Sequence, residues 1–403
     1  MKLRVLPLCI ATGLMSFPLA SWAATNTANY WLSVTTDSGG MGSAMTKQAA
    51  TESAGGFLGG LFGSLSSKVS GPTRTLSLQL NSPQSLPAGP NALHDIPKGM
   101  SMGDSLPLVI PEFVTSSAEK EEQTPFERGE KPKGRLLIYW GCGDKTGSGQ
   151  PKVIDFAKVT SMAGIPSHHG SAVYPPSPSR GKIYAAWPNK ENSKRIPSDA
   201  SLVGDHFVHG NYTPDIRFSI GKQQDFMAPV ELSNNGNTLK WKDIPTSIGF
   251  FIMASGSNAN GDMIVWTSSR EADTGWGMMD FMPTPDVRKF VKNKVVLPGD
   301  ASECTVPTEV ADKSQGLMVQ MIAYGEDMNA AWPAKPEKPQ AYVKVRLKSV
   351  GSLMLGGTSG AAKAGGGSYS AAGGRSYSSP PKEKSDSEKA IDGVKSIRGL
   401  FGF

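Results

Sequence analysis

Apolar residues in this chain recur with a period of two, in short runs stopped by glycine and proline, a pattern that points to β-structure. Thr75-Leu76-Ser77-Leu78-Gln79-Leu80 and Thr238-Leu239-Lys240-Trp241-Lys242 alternate strictly. Tyr342-Val343-Lys344-Val345-Arg346-Leu347 does the same, with one polar and one apolar face. Arg135-Leu136-Leu137-Ile138-Tyr139-Trp140 is apolar on both faces and stops at Gly141, which suits a central strand. Its expected partner is Lys182-Ile183-Tyr184-Ala185-Ala186-Trp187. Further strands are expected at 29–34, 106–110, 249–253, 263–266 and 317–324. Between two of these, Asn258-Ala259-Asn260-Gly261 signals a hairpin, because Asn-Gly takes the positive φ that tight turns need. With 46 glycines and 30 prolines in 403 residues, short strands and turns are favoured over long helices.

The N-terminus points to export. Lys2 and Arg4 precede an apolar stretch over 5–19, broken by Pro7, Gly13 and Pro18, and Ser21-Trp22-Ala23 offers small residues where a signal peptidase reads them. A cleavable signal peptide over 1–23 and a mature chain from Ala24 follow. Cys9 lies inside the apolar stretch, behind Leu6-Pro7-Leu8, and makes no lipobox. No later run reaches the roughly 18 apolar residues of a spanning helix, so no transmembrane span is expected after cleavage. The periplasm, or the outer-membrane or extracellular face, is the expected location. Loss of Lys2 and Arg4 from the 41 basic residues leaves 39 against 35 acidic ones. That mild, scattered excess lacks the concentrated basic face of a nucleic-acid binder.

Composition divides the rest. Residues 24–71 join a first strand to a flexible Gly-rich segment, 72–190 form an N-terminal β domain, 191–222 a linker, and 223–350 a second β domain. Residues 351–384 read as a disordered Gly/Ser-rich linker. The stretch 385–403, opened by the capping pattern Ser385-Asp386-Ser387-Glu388, reads as a short amphipathic helix. Such a helix docks on the protein body, on a partner, or on a membrane surface as a peripheral contact.

In the second domain Trp241, Ile244, Pro245, Ser247, Gly249 and Phe250 fall at the spacing of W-x-x-V-x-G-A-x-G-Y, and the stretch resembles bacterial fibronectin type III-like modules. Thr246 stands where glycine is usual and Phe250 where tyrosine is usual. The resemblance implies that Trp241 packs in the core from strand B and that Phe250 begins strand C. The expected fold is all-β: two β-sandwich-like domains, the second fibronectin type III-like, with flexible Gly-rich segments and a short C-terminal helix. As a whole the chain resembles uncharacterised exported proteins of Gram-negative bacteria, a likeness that brings no activity with it.

Catalytic signatures are missing: the chain has no G-x-S-x-G elbow, no G-x-x-x-x-G-K-[ST] loop and no H-E-x-x-H pair. Four of five histidines fall between 168 and 209. His168, His169, His206 and His209, with an acid such as Asp205, would supply ligands for zinc. Surface histidines of a Pro/Ser-rich loop are the plainer reading. On an extended segment His206 and His209 point to opposite faces, and only a turn would join them. Asp205, Asp215, Glu271, Asp273 and Asp280 are candidates by type for a glycosidase pair. Cys142 and Cys304, the cysteines left after cleavage, either pair in an oxidising compartment or stay separate buried thiols. Trp187, Trp276 and Trp332, beside Pro, Gly or loop residues, are the candidate ligand platform, whereas Trp140, Trp241 and Trp266 sit in apolar strands and read as core. The leading functional expectation is a non-enzymatic exported envelope protein that binds or scaffolds another cell-surface component, protein or glycan. The alternatives are a metal-binding protein or metal-dependent hydrolase built on the histidine quartet, with zinc as its cofactor, and a glycan-binding module.

Overall fold

The computed structural model describes residues 27–38, 71–112, 134–159, 164–171, 173–178, 182–334 and 338–356. The signal-peptide region, the Gly-rich segment after residue 38, the Gly/Ser-rich tail beyond residue 356 and the expected C-terminal helix lie outside the described residues. Residues 351–355, expected to open the disordered linker, instead complete the last strand, which runs to Leu355.

The described chain is mostly β, in one large mixed sheet and two small antiparallel ones. The large sheet is built from β1 (Ala28–Asp37), β2 (Thr73–Ser82), β5 (Arg135–Trp140), β6 (Lys152–Asp155), β7 (Ile183–Trp187), β12 (Ser247–Ser257), β13 (Met263–Thr267), β16 (Leu317–Gly325) and β18 (Ala341–Leu355). Their order is β6-β5-β13-β12-β16-β18-β1-β2-β7. The two short strands β14 (Leu297–Pro298) and β17 (Met328–Trp332) add to β12 and β18. β1 with β18 and β5 with β13 are parallel pairs, and the other ladders are antiparallel. A four-stranded sheet contains β3 (Ala92–Asp95), β4 (Ser105–Pro107), β8 (Gly204–Gly210) and β9 (Ile216–Ile220). A three-stranded sheet contains β10 (Leu232–Asn235), β11 (Thr238–Trp241) and β15 (Glu303–Thr305).

Every run singled out by its alternation or apolarity falls on a strand or, for 106–110, across β4 and the bridge of Val109 to Ala186. Partners differ from expectation, because a period-two pattern specifies which face is buried and not which strand lies alongside. β7 pairs with β2 rather than β5, which lies between β13 and β6. Strands from both sides of residues 191–222 share the large sheet, so the two regions do not build separate sheets. Residues 191–222 also carry β8 and β9, not linker alone. The hairpin joins β12 to β13, with Gly261 at φ 79°.

Both faces of the sheet's middle are buried, and alternate residues go to different cores. Phe250, Ile252 and Ala254 of β12 enter the main cluster with Leu32, Leu78, Val345 and residues of the small sheets. Phe251 and Met253, one step out of phase, join Ile322, Tyr324 and Val350 beneath helix α1 (Thr284–Lys292), whose Val287 and Phe290 face them. This second layer ends at Val350. Beyond it, on the same face of β18, come Lys348, Arg346, Lys344 and Tyr342.

Cys142, in the turn after β5, and Cys304 of β15 form a disulfide with Cα atoms 5.2 Å apart. It ties the large sheet to the three-stranded one across a sequence separation of 162 residues. On the chain-entropy view such a loop closure stabilises by about 5 kcal/mol. Hydrogen bonds from Gly143 N to Thr305 O (2.9 Å) and Thr308 N to Asp144 O (3.1 Å) stitch the same two segments.

Candidate functional site

The polar face of β18 makes a cleft with β1. Parallel pairing sets Trp31 beside Lys344 and Ser33 beside Arg346. Phe281, in the segment leading to α1, covers the row from above. The Arg346 guanidinium carbon lies 4.2 Å from the Phe281 ring centre and 5.4 Å from that of Trp31, and its Nε donates to Ser33 Oγ at 2.7 Å. Lys344 Nζ sits 5.4 Å from the Trp31 ring and Lys348 Nζ 4.4 Å from that of Phe281. The cleft is shallow and partly open to solvent, and is lined by Trp31, Val173, Phe281, Met282, Pro283, Asp327, Lys344 and Arg346.

The three cations of this row are not equivalent. Lys344 pairs with the buried Asp327 at 2.8 Å, and Lys348 with the exposed Asp280 at 2.6 Å. Arg346 forms no carboxylate pair among the described residues, although it is half-buried. Burial pulls its pKa down to about 10, opposed by the charge of Asp280. Burial pushes Asp327 up, but Lys344 and the hydroxyl and amide of Thr284 outweigh it and take the carboxyl to about 2. Both groups therefore stay charged around neutral pH. The cleft is equipped to hold an anion against aromatic surface rather than to move protons.

On the opposite face of β1 the polar groups are closed off. Tyr30 Oη meets His94 Nδ1 at 2.8 Å, His94 Nε2 meets His206 Nδ1 at 2.9 Å, and His206 Nε2 meets Leu202 O at 2.7 Å. A carbonyl only accepts, so His206 carries its proton on Nε2 and accepts at Nδ1 from His94. His94 Nδ1 in turn accepts from the Tyr30 hydroxyl. Tyr30 and His94 are fully buried and His206 is 2% exposed, with Phe218 stacked on the His206 ring at 5.0 Å. Burial lowers the pKa of both imidazoles, and the charge of His206 lowers His94 further. The chain is satisfied end to end with both rings neutral.

The four histidines read as a zinc set are thus dispersed. His206 is in this buried chain, on β8. His209, on the other face of that strand, pairs with Asp95 at 3.2 Å and stacks on Phe207. His168 is held at Nδ1 by the buried Asp273 and lies 3.3 Å from Glu271 at Nε2, so the two acids flank opposite nitrogens and do not converge. His169 is exposed and packs where any side chain at Gly277 would stand. Among the described residues no three His, Cys, Asp or Glu side chains could hold a metal together. Of the carboxylate candidates, Asp205 bonds Ser219 at 2.5 Å on the exposed face of β8, and Asp215 is exposed beside β9.

The tryptophan platform is also redistributed. Trp187 is 1% exposed and belongs to the main core, because its place on β7 faces inward. Trp276 packs partly buried against the clusters under α1 and beside β5, and Trp332 against the main core. Trp241 and Trp266 are buried, as expected of core residues. The ring at the cleft is Trp31, whose signal was its out-of-phase place between Tyr30 and Leu32 on an alternating strand. His94 was equally legible, in Ala92-Leu93-His94-Asp95.

No helix among the described residues is long and apolar enough to cross a membrane. No protein-family model matches the chain, and no curated protein and no solved structure matches it.

Proposed function

We propose that this is a non-enzymatic exported envelope protein that binds an acidic cell-surface component through the Trp31–Phe281–Arg346 cleft. The observation that carries the reading is Arg346: a half-buried guanidinium fixed by Ser33 and two rings, with no carboxylate pair among the described residues. Removing a cation from water without a partner is unfavourable, and an anionic ligand relieves the cost. Export is supported by the signal-peptide pattern and by the Cys142–Cys304 disulfide.

The same proposal includes the fibronectin type III-like unit expected over 223–350, with its last strand continuing to Leu355. Sandwiches of this architecture put strands A, B and E in one sheet and C, F and G in the other. Here β10-β11-β15 and β12-β16-β18 follow that division, and the chain passes between sheets from Trp241 to Phe250, whose rings are 5.5 Å apart. On this reading the N-terminal strands extend the second sheet at both edges.

Co-sedimentation of the full chain with isolated envelope fractions tests the function. Arg346→Met is expected to cut the bound fraction about tenfold or more, the worth of a charge-assisted hydrogen-bonded anchor. Equal binding by the parent and the variant would sink the cleft as the binding site.

A further inference from the structure

We infer that the cleft takes a carboxylated sugar, a uronate-type residue of an acidic polysaccharide; this rests on the reading above that the cleft binds an anion. Charge sets the class. Lys344, Arg346 and Lys348 stand against Asp327 and Asp280, which leaves one positive charge, on Arg346. A carboxylate matches that single charge. A phosphate monoester, carrying about −1.5 to −2, would over-neutralise the cleft and repel Asp327.

Shape agrees with charge. Arg346 spends Nε on Ser33, and among the described residues its two terminal nitrogens remain as the parallel fork that fits a planar carboxylate. Trp31 and Phe281 flank the fork with aromatic surface suited to the apolar face of a pyranose ring, and the cleft opens to solvent, so a ring can lie across its mouth with the carboxylate directed inward. Tyr342, 48% exposed, continues the same face two positions before Lys344. Alternate strand residues stand about 7 Å apart, within reach of the next sugar of a polymer.

Titration of the full-length mature protein, followed by tryptophan fluorescence and calorimetry, separates the cases. The probes are oligogalacturonate, its neutral methyl ester and a sugar phosphate. Oligogalacturonate is expected to bind and its methyl ester to bind at least about tenfold more weakly. Arg346→Met should abolish binding, Arg346→Lys should weaken it about tenfold through loss of the fork, and Trp31→Ala two- to fivefold through loss of ring contact. Folding of each variant is checked by circular dichroism, and the charge-retaining Arg346→Lys serves if Arg346→Met misfolds. Arg346-dependent binding of the sugar phosphate in preference to the uronate would overturn the sugar-acid assignment while leaving an anion site. Failure of all three probes, with envelope binding still dependent on Arg346, would overturn it too and leave only the broader function. Uronate binding unchanged in both Arg346 variants would remove the site itself.

Discussion

Tyr30 and Trp31 are neighbours on one strand and belong to opposite solutions of the same problem, how to place polar groups against a sheet. On Tyr30's side each donor has one acceptor, the protons run in a single direction to the Leu202 carbonyl, and water is excluded. On Trp31's side two of three cations have acids and the third has rings and a hydroxyl. A completed network binds two sheets of the protein to each other. An incomplete one leaves a cation whose last partner, on the function proposed above, comes from outside.

That contrast predicts different responses to the same kind of damage. The largest is expected from His94→Leu, which leaves the Tyr30 hydroxyl and His206 Nδ1 buried without partners. At about 1–3 kcal/mol for each orphaned group, the urea midpoint should report a loss of about 2–6 kcal/mol. A loss below about 1 kcal/mol would mean the closed side is not closed. Acid comes next. Both imidazoles are held below the usual 6.5, so below that pH the unfolded chain binds more protons than the folded one. The stabilisation is fully present above about pH 6.5 and is lost as pH falls toward the folded values, at up to about 2.7 kcal/mol per pH unit for two histidines. Urea midpoints between pH 7.5 and 5 measure it, and a His94→Leu/His206→Leu double variant should flatten that slope. The smallest effect is expected across the strand, where Arg346→Met removes a charge that lacks an acid and should shift stability by less than about 1 kcal/mol, in either direction. A loss of several kcal/mol there would show that Arg346 is a structural group and not a waiting one.

Much of this face pattern was legible in the residues. The alternation of Tyr342, Lys344 and Arg346 with Val343, Val345 and Leu347 gives the polar row directly, and its burial follows that phase. The partners were not legible. β18 lies between β16, a neighbour in sequence, and β1, some three hundred residues away, and nothing in either strand's composition names the other. The stretch 191–222 concealed two strands behind His206, Asp205 and Arg217, since a buried histidine in a hydrogen-bonded chain reads as polar until its partners are known. The quartet of histidines was a cluster in sequence alone; strand alternation sends His206 and His209 apart, and His168 answers to Asp273 instead.

The parallel ladder of β1 and β18 also sets a timetable. β1 is the first strand of the described chain and β18 the last, yet they are neighbours inside the large sheet. Until β18 has been made, β1 has only β2 alongside it, and the Tyr30 chain and the Trp31 cleft have no finished wall. Pairings this distant in sequence place folding in the slow class, where loop closure precedes any reward from contact. The Trp31 cleft is therefore among the last features to exist, and a chain interrupted before residue 341 would carry the aromatic ring of Trp31 without the arginine that lies against it.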